Sequence, residues 1–166
     1  KGEGFVFEKN IKGGVIPQEF IGSCREGARE AMNSGVIGGF PLQDIRVEII
    51  DGSYHDVDSS ELAFRIATSI AVKDGIKKAG PILLEPVMSV EVISPQQYTG
   101  EIMNDMNMRR TKIEKTETRS DAQVIKGAVP LTEMFGYATK LRSLSQGRAI
   151  FTMVFDSYMP VPDKIA

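Results

Sequence analysis

The chain of 166 residues has one cysteine, Cys24, and one histidine, His55. A single cysteine cannot form an internal disulfide, so nothing points to an oxidising compartment and a cytoplasmic origin is the default expectation. One cysteine and one histidine also cannot by themselves build a Cys/His zinc centre or a Cys-rich iron–sulfur centre. No apolar run approaches the ~18 to 20 residues of a membrane helix, because charges, Gly or Pro interrupt each one, so no membrane partner is expected. Neither a P-loop nor a strand-turn-helix G-x-G-x-x-G is present, which excludes nucleotide binding by those cradles. The first residue is Lys1, with no secretory pattern after it, and the chain reads as an excised piece. A formal net charge of -2 gives no basis for indiscriminate polyanion binding.

What is present is an ordinary globular composition, 42% hydrophobic and 25% charged, enough to bury a core and contrary to long disorder or fibrous repeats. The Gly80-Pro81 step divides the chain into expected domains 1–80 and 81–166, since Gly ends helices and Pro cannot continue them. In the first, 4–12 reads as a strand, with Phe5 and Phe7 on one face. Phe20, Ile21, Cys24, Ala28, Ala31 and Met32 then recur at helical steps after Pro17. Ile45, Val47 and Ile49 alternate with polar residues as in a half-buried strand. Asp58-Ser59-Ser60-Glu61 reads as a capping box opening a helix whose apolar row is Leu62, Ile66 and Ile70. In the second, a strand over 84–93 runs into Ser94-Pro95-Gln96-Gln97, read as a capped helix start. A helix with Tyr98, Ile102, Met103 and Met106 follows, then a hairpin over 111–118 and 122–129. A helical stripe Leu131, Met134, Phe135, Ala138 and Leu141, closed by Gly147, leads to a last strand over 149–155. The expected class is α+β: a β-α-β-α unit, then βαββαβ, the split-βαβ or ferredoxin-like pattern, which by itself fixes no function.

Several chemical motifs fail on inspection. Counting from Asp51 or Asp56, the twelfth position is Leu62 or Ala67, where a calcium loop needs Glu. Ser53, His55 and Asp56 have the composition of a triad, but triads are assembled from separate elements and no nucleophile elbow occurs, so a hydrolase using His55 is the weakest reading. Lys1 to Glu8 nearly spells an RNA-recognition strand, yet Glu3 and Glu8 replace its outer aromatics, which favours a structural strand. Met103, Met106 and Met134 fit core faces. Arg109-Arg110 suits a helix end. Two features keep a functional reading. His55 follows a turn-like Asp-Gly-Ser and is expected at the surface, where an imidazole could stack on or hydrogen-bond to RNA. Residues 140–148 carry Lys140, Arg142 and Arg148 and no acid, a local positive patch suited to phosphate.

Taken together, Gly13-Gly14-Val15-Ile16-Pro17, Asp51-Gly52-Ser53-Tyr54-His55-Asp56-Val57-Asp58-Ser59-Ser60, Leu83-Leu84-Glu85-Pro86, Met134-Phe135-Gly136-Tyr137-Ala138-Thr139, Leu141-Arg142-Ser143 and Gln146-Gly147-Arg148 stand in the order found in the elongation factor G family. The chain resembles the C-terminal part of that family over nearly its whole length. The resemblance implies that 1–80 is most of domain four, a ribosomal-protein-S5-like unit with a left-handed crossover, and that 81–166 is the ferredoxin-like domain five.

It further implies a tip loop, with Gly52, Ser53, Tyr54, His55, Asp56 and Asp58 entering the small-subunit decoding region near transfer RNA and messenger RNA. Lys140, Arg142, Gln146 and Arg148 would face large-subunit RNA near the sarcin–ricin loop and the stalk-base protein. The implied function is promotion of translocation after GTP hydrolysis elsewhere in the parent, with no catalytic residue, cofactor or metal in this piece; GTP and magnesium would belong to the missing N-terminal domain. The implied partners are the ribosome and the remaining domains of the parent. Two departures accompany the resemblance. A Gly-Gly-Arg-Gly-Gln type of loop and an opening strand would precede Lys1, and Thr111, followed by the charged run 112–121, stands where the family commonly has Gly. A ribosome-recycling paralogue and a stand-alone RNA-binding adaptor are the alternative functions.

Overall fold

The computed structural model describes residues 2–162 together with Lys164 and Ile165; Lys1, the first residue of the near-match to an RNA-recognition strand, lies outside them. The chain divides into two compact units, Lys1–Pro81 and Ile82–Ala166.

The first unit runs β1 (Phe5–Lys9), a 3-10 turn (Gln18–Phe20), α1 (Ile21–Ser34), β2 (Ile45–Ile49) and α2 (Glu61–Lys78). β1 and β2 pair in parallel, from Phe5 opposite Ile45 to Lys9 opposite Ile49. The backbone N–H groups of Gly2 and Gly4 donate to the Asp44 carboxylate at 2.8 and 3.0 Å, tying the start of β1 to that of β2. Cys24, Ala28, Ala31 and Met32 form the buried stripe of α1, as their spacing requires, and Ile16 is buried beside them in this small core. Gly35, in the left-handed region at φ 57°, ends the helix by donating to the Ala31 carbonyl at 3.0 Å. Gly27 lets α1 and α2 approach so closely that a Cβ there would collide with the Arg65 carbonyl oxygen.

Two expectations for α2 are corrected. Its N-cap is Ser60, whose Oγ accepts from the Ala63 N–H at 3.1 Å, and not Asp58. The Asp58 and Ser59 N–H groups are spent upstream, both donating to the His55 carbonyl. Leu62, Ile66 and Ile70 do not face the core; they are 61, 49 and 62% exposed, while the row Phe64, Thr68, Val72 and Ile76 is half-buried. The Gly27 approach and the stacking of Phe64 on Phe20, at 4.8 Å between ring centroids, set the rotation of the helix.

The second unit runs β3 (Leu84–Pro95), α3 (Thr99–Met108), β4 (Lys112–Arg119), β5 (Ala122–Pro130), α4 (Tyr137–Leu144) and β6 (Ile150–Pro160). Its sheet has the order β4-β5-β3-β6 with every neighbouring pair antiparallel, the ferredoxin-like arrangement expected from the element order. Val90, Val92, Ile125 and Val129 of the sheet meet Ile102 and Met106 of α3 and Tyr137 and Leu141 of α4 in one core. The charged run of 112–121 is the edge strand β4 and its turn, where Lys115 and Arg119 both pair with Glu117. These contacts hold the Glu117 carboxyl below its ordinary range, and charge on an edge strand discourages further strand pairing.

The capping box expected at Ser94 does not form. The ladder with β5 continues through Ser94 opposite Gln123 and Pro95 opposite Ala122, so Ser94 is extended and buried, and α3 begins only at Thr99 after a 3-10 turn. The single stripe expected over 131–141 is likewise broken. Leu131–Met134 is a 3-10 turn, Phe135 is extended and 77% exposed, and Gly136 turns left-handed at φ 73°. That turn resets the helical phase, so Tyr137 enters the core and Ala138 stays exposed. At the end of α4 the left-handed C′ residue is Gln146, φ 52°, and Gly147 follows it, its N–H donating to the Arg142 carbonyl at 2.8 Å.

Tyr137 carries a stability prediction. It is 1% exposed, packs edge-on against Phe151 at 5.0 Å, and its hydroxyl has no hydrogen-bond partner among the described residues. Burial, reinforced by the Asp105 carboxylate, pushes its pKa up to about 12 from 10.0. The fold favours the neutral phenol, so this contribution is complete below the unfolded value and is lost as pH rises through the folded one. Tyr137→Phe is expected to abolish that alkaline loss and to raise stability at neutral pH by about 1 kcal/mol, because an unpaired buried hydroxyl is removed. Urea midpoints of both proteins at neutral and alkaline pH check this; a neutral-pH loss in the variant would mean that the hydroxyl is paired.

Among the described residues, no helix is long and apolar enough to cross a membrane.

Candidate functional site

The segment between β2 and α2 has neither helix nor strand, yet side chains fix it at several points. Gly52 passes against buried Ile16, whose Cδ1 would lie 2.5 Å from an added Cβ, and its N–H is held by the Asp51 carboxylate at 2.8 Å. The Tyr54 ring stacks on Phe20 with centroids 6.0 Å apart, and Phe20 stacks in turn on Phe64. The neighbouring Asp56 carboxylate pushes the Tyr54 phenol pKa up. Beyond it, Ser59 Oγ accepts from the His55 N–H at 3.0 Å, and the Ser59 N–H returns to the His55 carbonyl at 3.0 Å.

Gly52, Ser53, Tyr54, His55, Asp56 and Asp58 thus lie together on one exposed loop. The His55 ring has no hydrogen-bond or ion-pair partner among the described residues, and Val57 beside it is 93% exposed. No Lys or Arg occurs from 47 to 64, whereas Glu48, Asp51, Asp56, Asp58 and Glu61 do. Such a loop repels phosphate, so contact with nucleic acid would be through the imidazole, the base edges and shape. Ser53 and His55 are not joined by a hydrogen bond in the structure, and the His55 ring has no orienting carboxylate partner, so the triad constellation is not assembled.

In the second unit Lys140, Arg142, Gln146 and Arg148 are all exposed. Arg142, in the last turn of α4, lies beside Gly147, whose added Cβ would sit 4.0 Å from Arg142 Cγ; the same turn carries Gln146, which accepts from the Tyr98 hydroxyl at 3.2 Å. Lys140 stands apart from this group, because residues two apart on a helix project in directions about 200° apart. No carboxylate pairs with Lys140, Arg142 or Arg148 among the described residues, which leaves these cations to external anions.

Arg109 and Arg110 of this unit, by contrast, are committed internally. Arg109 Nε binds Asp105 at 2.8 Å while its guanidinium lies 5.0 Å over the Tyr137 ring. Arg110 forks onto Glu85 at 2.8 and 2.9 Å and reaches Glu133 at 2.8 Å. The pair at the helix end is therefore structural, acting mainly through buried carboxylates. The RNA-recognition-like strand is structural too: Glu8 faces Arg46 at 3.7 Å, and Arg29 covers the Phe5 ring at 5.9 Å. Phe20, Phe64 and Ser59 hold the loop but were not legible as site residues. Their only sequence signal is an aromatic at the start of each flanking helix and a second serine in Asp58-Ser59-Ser60.

Among the described residues, no cluster of three or more His, Cys, Asp or Glu could hold a metal ion. Residues 1–80 match the family model described as elongation factor G, domain IV, and residues 82–166 the model described as elongation factor G C-terminus. Among solved structures, a crystal structure of a Thermus thermophilus protein matches 99% of this chain at 38% identity and a TM-score of 0.90. The chain covers 25% of that protein's length.

Proposed function

The chain belongs to the elongation factor G family as its C-terminal part, and from that premise we propose that it is the ribosome-engaging portion of a GTPase that promotes movement of transfer RNA and messenger RNA. The observation that carries the reading is the loop at 50–60: clamped by its own side chains, it presents an uncommitted imidazole on an acidic segment that cannot grip phosphate. Such a loop does no bond chemistry. It enters the small-subunit decoding region beside the codon–anticodon duplex and opposes its return by occupying the space. GTP and magnesium are bound by another part of the parent. The test is His55→Ala in the full-length parent, followed as translocation and as GTP hydrolysis.

The second unit docks on large-subunit RNA beside the stalk-base protein through Arg142, Arg148 and Gln146, with Lys140 meeting a separate phosphate. Support comes from the exposure of these cations and their freedom from internal carboxylates. Arg142→Glu or Arg148→Glu is expected to weaken ribosome binding more at low salt than at high salt, with the salt slope falling by about 1 for each phosphate no longer neutralised. Binding isotherms of the parent over a salt series check this, and a defect independent of salt would indicate misfolding instead. His55→Ala is expected to leave the slope unchanged, because the imidazole neutralises no phosphate.

A further inference from the structure

We propose that Tyr54 and Phe20 are positioning residues of the loop: the stack Phe64–Phe20–Tyr54 fixes the chain on one side of His55, as Ser59 does on the other, and so presents the imidazole before any partner is met. This deepens the preceding reading and rests on it. Phe64 stands in the first turn of α2 and Phe20 immediately before α1, so the loop is referenced to both helices through three rings. The centroid spacings of 4.8 and 6.0 Å and interplanar angles of 18° and 30° are those of stacked rings.

Tyr54 is 39% exposed, and its ring is engaged by Phe20. Its ring is thus committed to Phe20, whereas the His55 ring has no partner among the described residues. The division of labour follows: Tyr54 holds and His55 touches. Without the stack, the loop would have to be ordered at the moment of contact, and that entropy cost would appear as slower engagement.

The experiment compares Tyr54→Ala, Tyr54→Phe, His55→Ala and the double variant Tyr54→Ala/His55→Ala, all in the full-length parent. In Tyr54→Ala the His55 amide, accepted by Ser59 Oγ, is expected to exchange with solvent about 2- to 12-fold faster, the range of one aromatic pair, while the Ala63 amide of α2 is unchanged. Tyr54→Phe keeps the stack and should exchange like wild type. In single-turnover translocation Tyr54→Ala is expected to be slow, Tyr54→Phe close to wild type, and the double variant no slower than His55→Ala, because a residue acting through His55 has no further effect once the imidazole is gone.

Unchanged His55 exchange in Tyr54→Ala overturns the proposal, as does a double variant whose loss is the product of the two single losses, since Tyr54 would then be an independent contact. If His55→Ala translocates like wild type, the reading of the loop as the translocation tip fails instead. The exchange measurement would still report whether the stack orders the loop, so the two failures are separable.

Discussion

His55→Ala in the full-length parent is expected to slow translocation by about one to two orders of magnitude, the range that loss of a stacking contact to a base supports, while ribosome-stimulated GTP hydrolysis stays near wild type. The asymmetry follows from where the residue stands. His55 is exposed, its ring contributes no internal hydrogen bond among the described residues, and the backbone groups that shape the loop are held by Ser59 and are unaffected by the substitution. No core is opened, so a folding loss is not expected. Parallel loss of hydrolysis and movement would contradict the separation of roles and would place His55 in the activation of the GTPase.

The second large effect concerns stability. Arg110→Met is expected to destabilise the second unit by about 3 to 5 kcal/mol, because it strands a carboxylate whose desolvation only the guanidinium offsets. Glu85 is 8% exposed and receives both arms of the Arg110 fork, and Glu133 takes its Nε. Together these carboxylates hold the guanidinium pKa far above its ordinary value. Arg110→Lys should recover only part of the loss, since an ammonium cannot reproduce two parallel bonds. Arg110→Met combined with Glu85→Gln should recover more than either change alone predicts. Arg110 sits at φ 60°, but every side-chain-bearing replacement shares that strain, which cancels from the comparison. Urea unfolding followed on the methyl groups of Ile102 and Ile125 measures the effect. Wild-type stability in Arg110→Met would mean that water already solvates Glu85.

Sequence pattern reached the architecture because each element carries its own period: Ile45, Val47 and Ile49 alternate in β2, and Cys24, Ala28, Ala31 and Met32 recur by helical steps in α1. The strings around His55 and Gly136 resemble the family that the matches over 1–80 and 82–166 show. Local signals failed where a distant partner decided the outcome. Ser94 has every feature of an N-cap, but Gln123 extends the sheet through it. Leu62, Ile66 and Ile70 have the spacing of a core row, but close passage at Gly27 turns α2 to another face. Tyr137 entered the core because Gly136 reset the helical phase, which hydrophobic spacing alone does not report. In the candidate site, His55 and its loop were legible as a polar turn. The rings that hold the loop were not, since Phe20 and Tyr54 are separated by 34 positions and meet only through the fold.

The most direct measurement is single-turnover messenger-RNA movement by the wild-type full-length parent, with GTP hydrolysis followed in the same mixture. The expected result is one movement of the messenger RNA accompanying hydrolysis on the ribosome. Hydrolysis with no movement would contradict the translocation reading and assign this C-terminal part to a recycling factor of the same family.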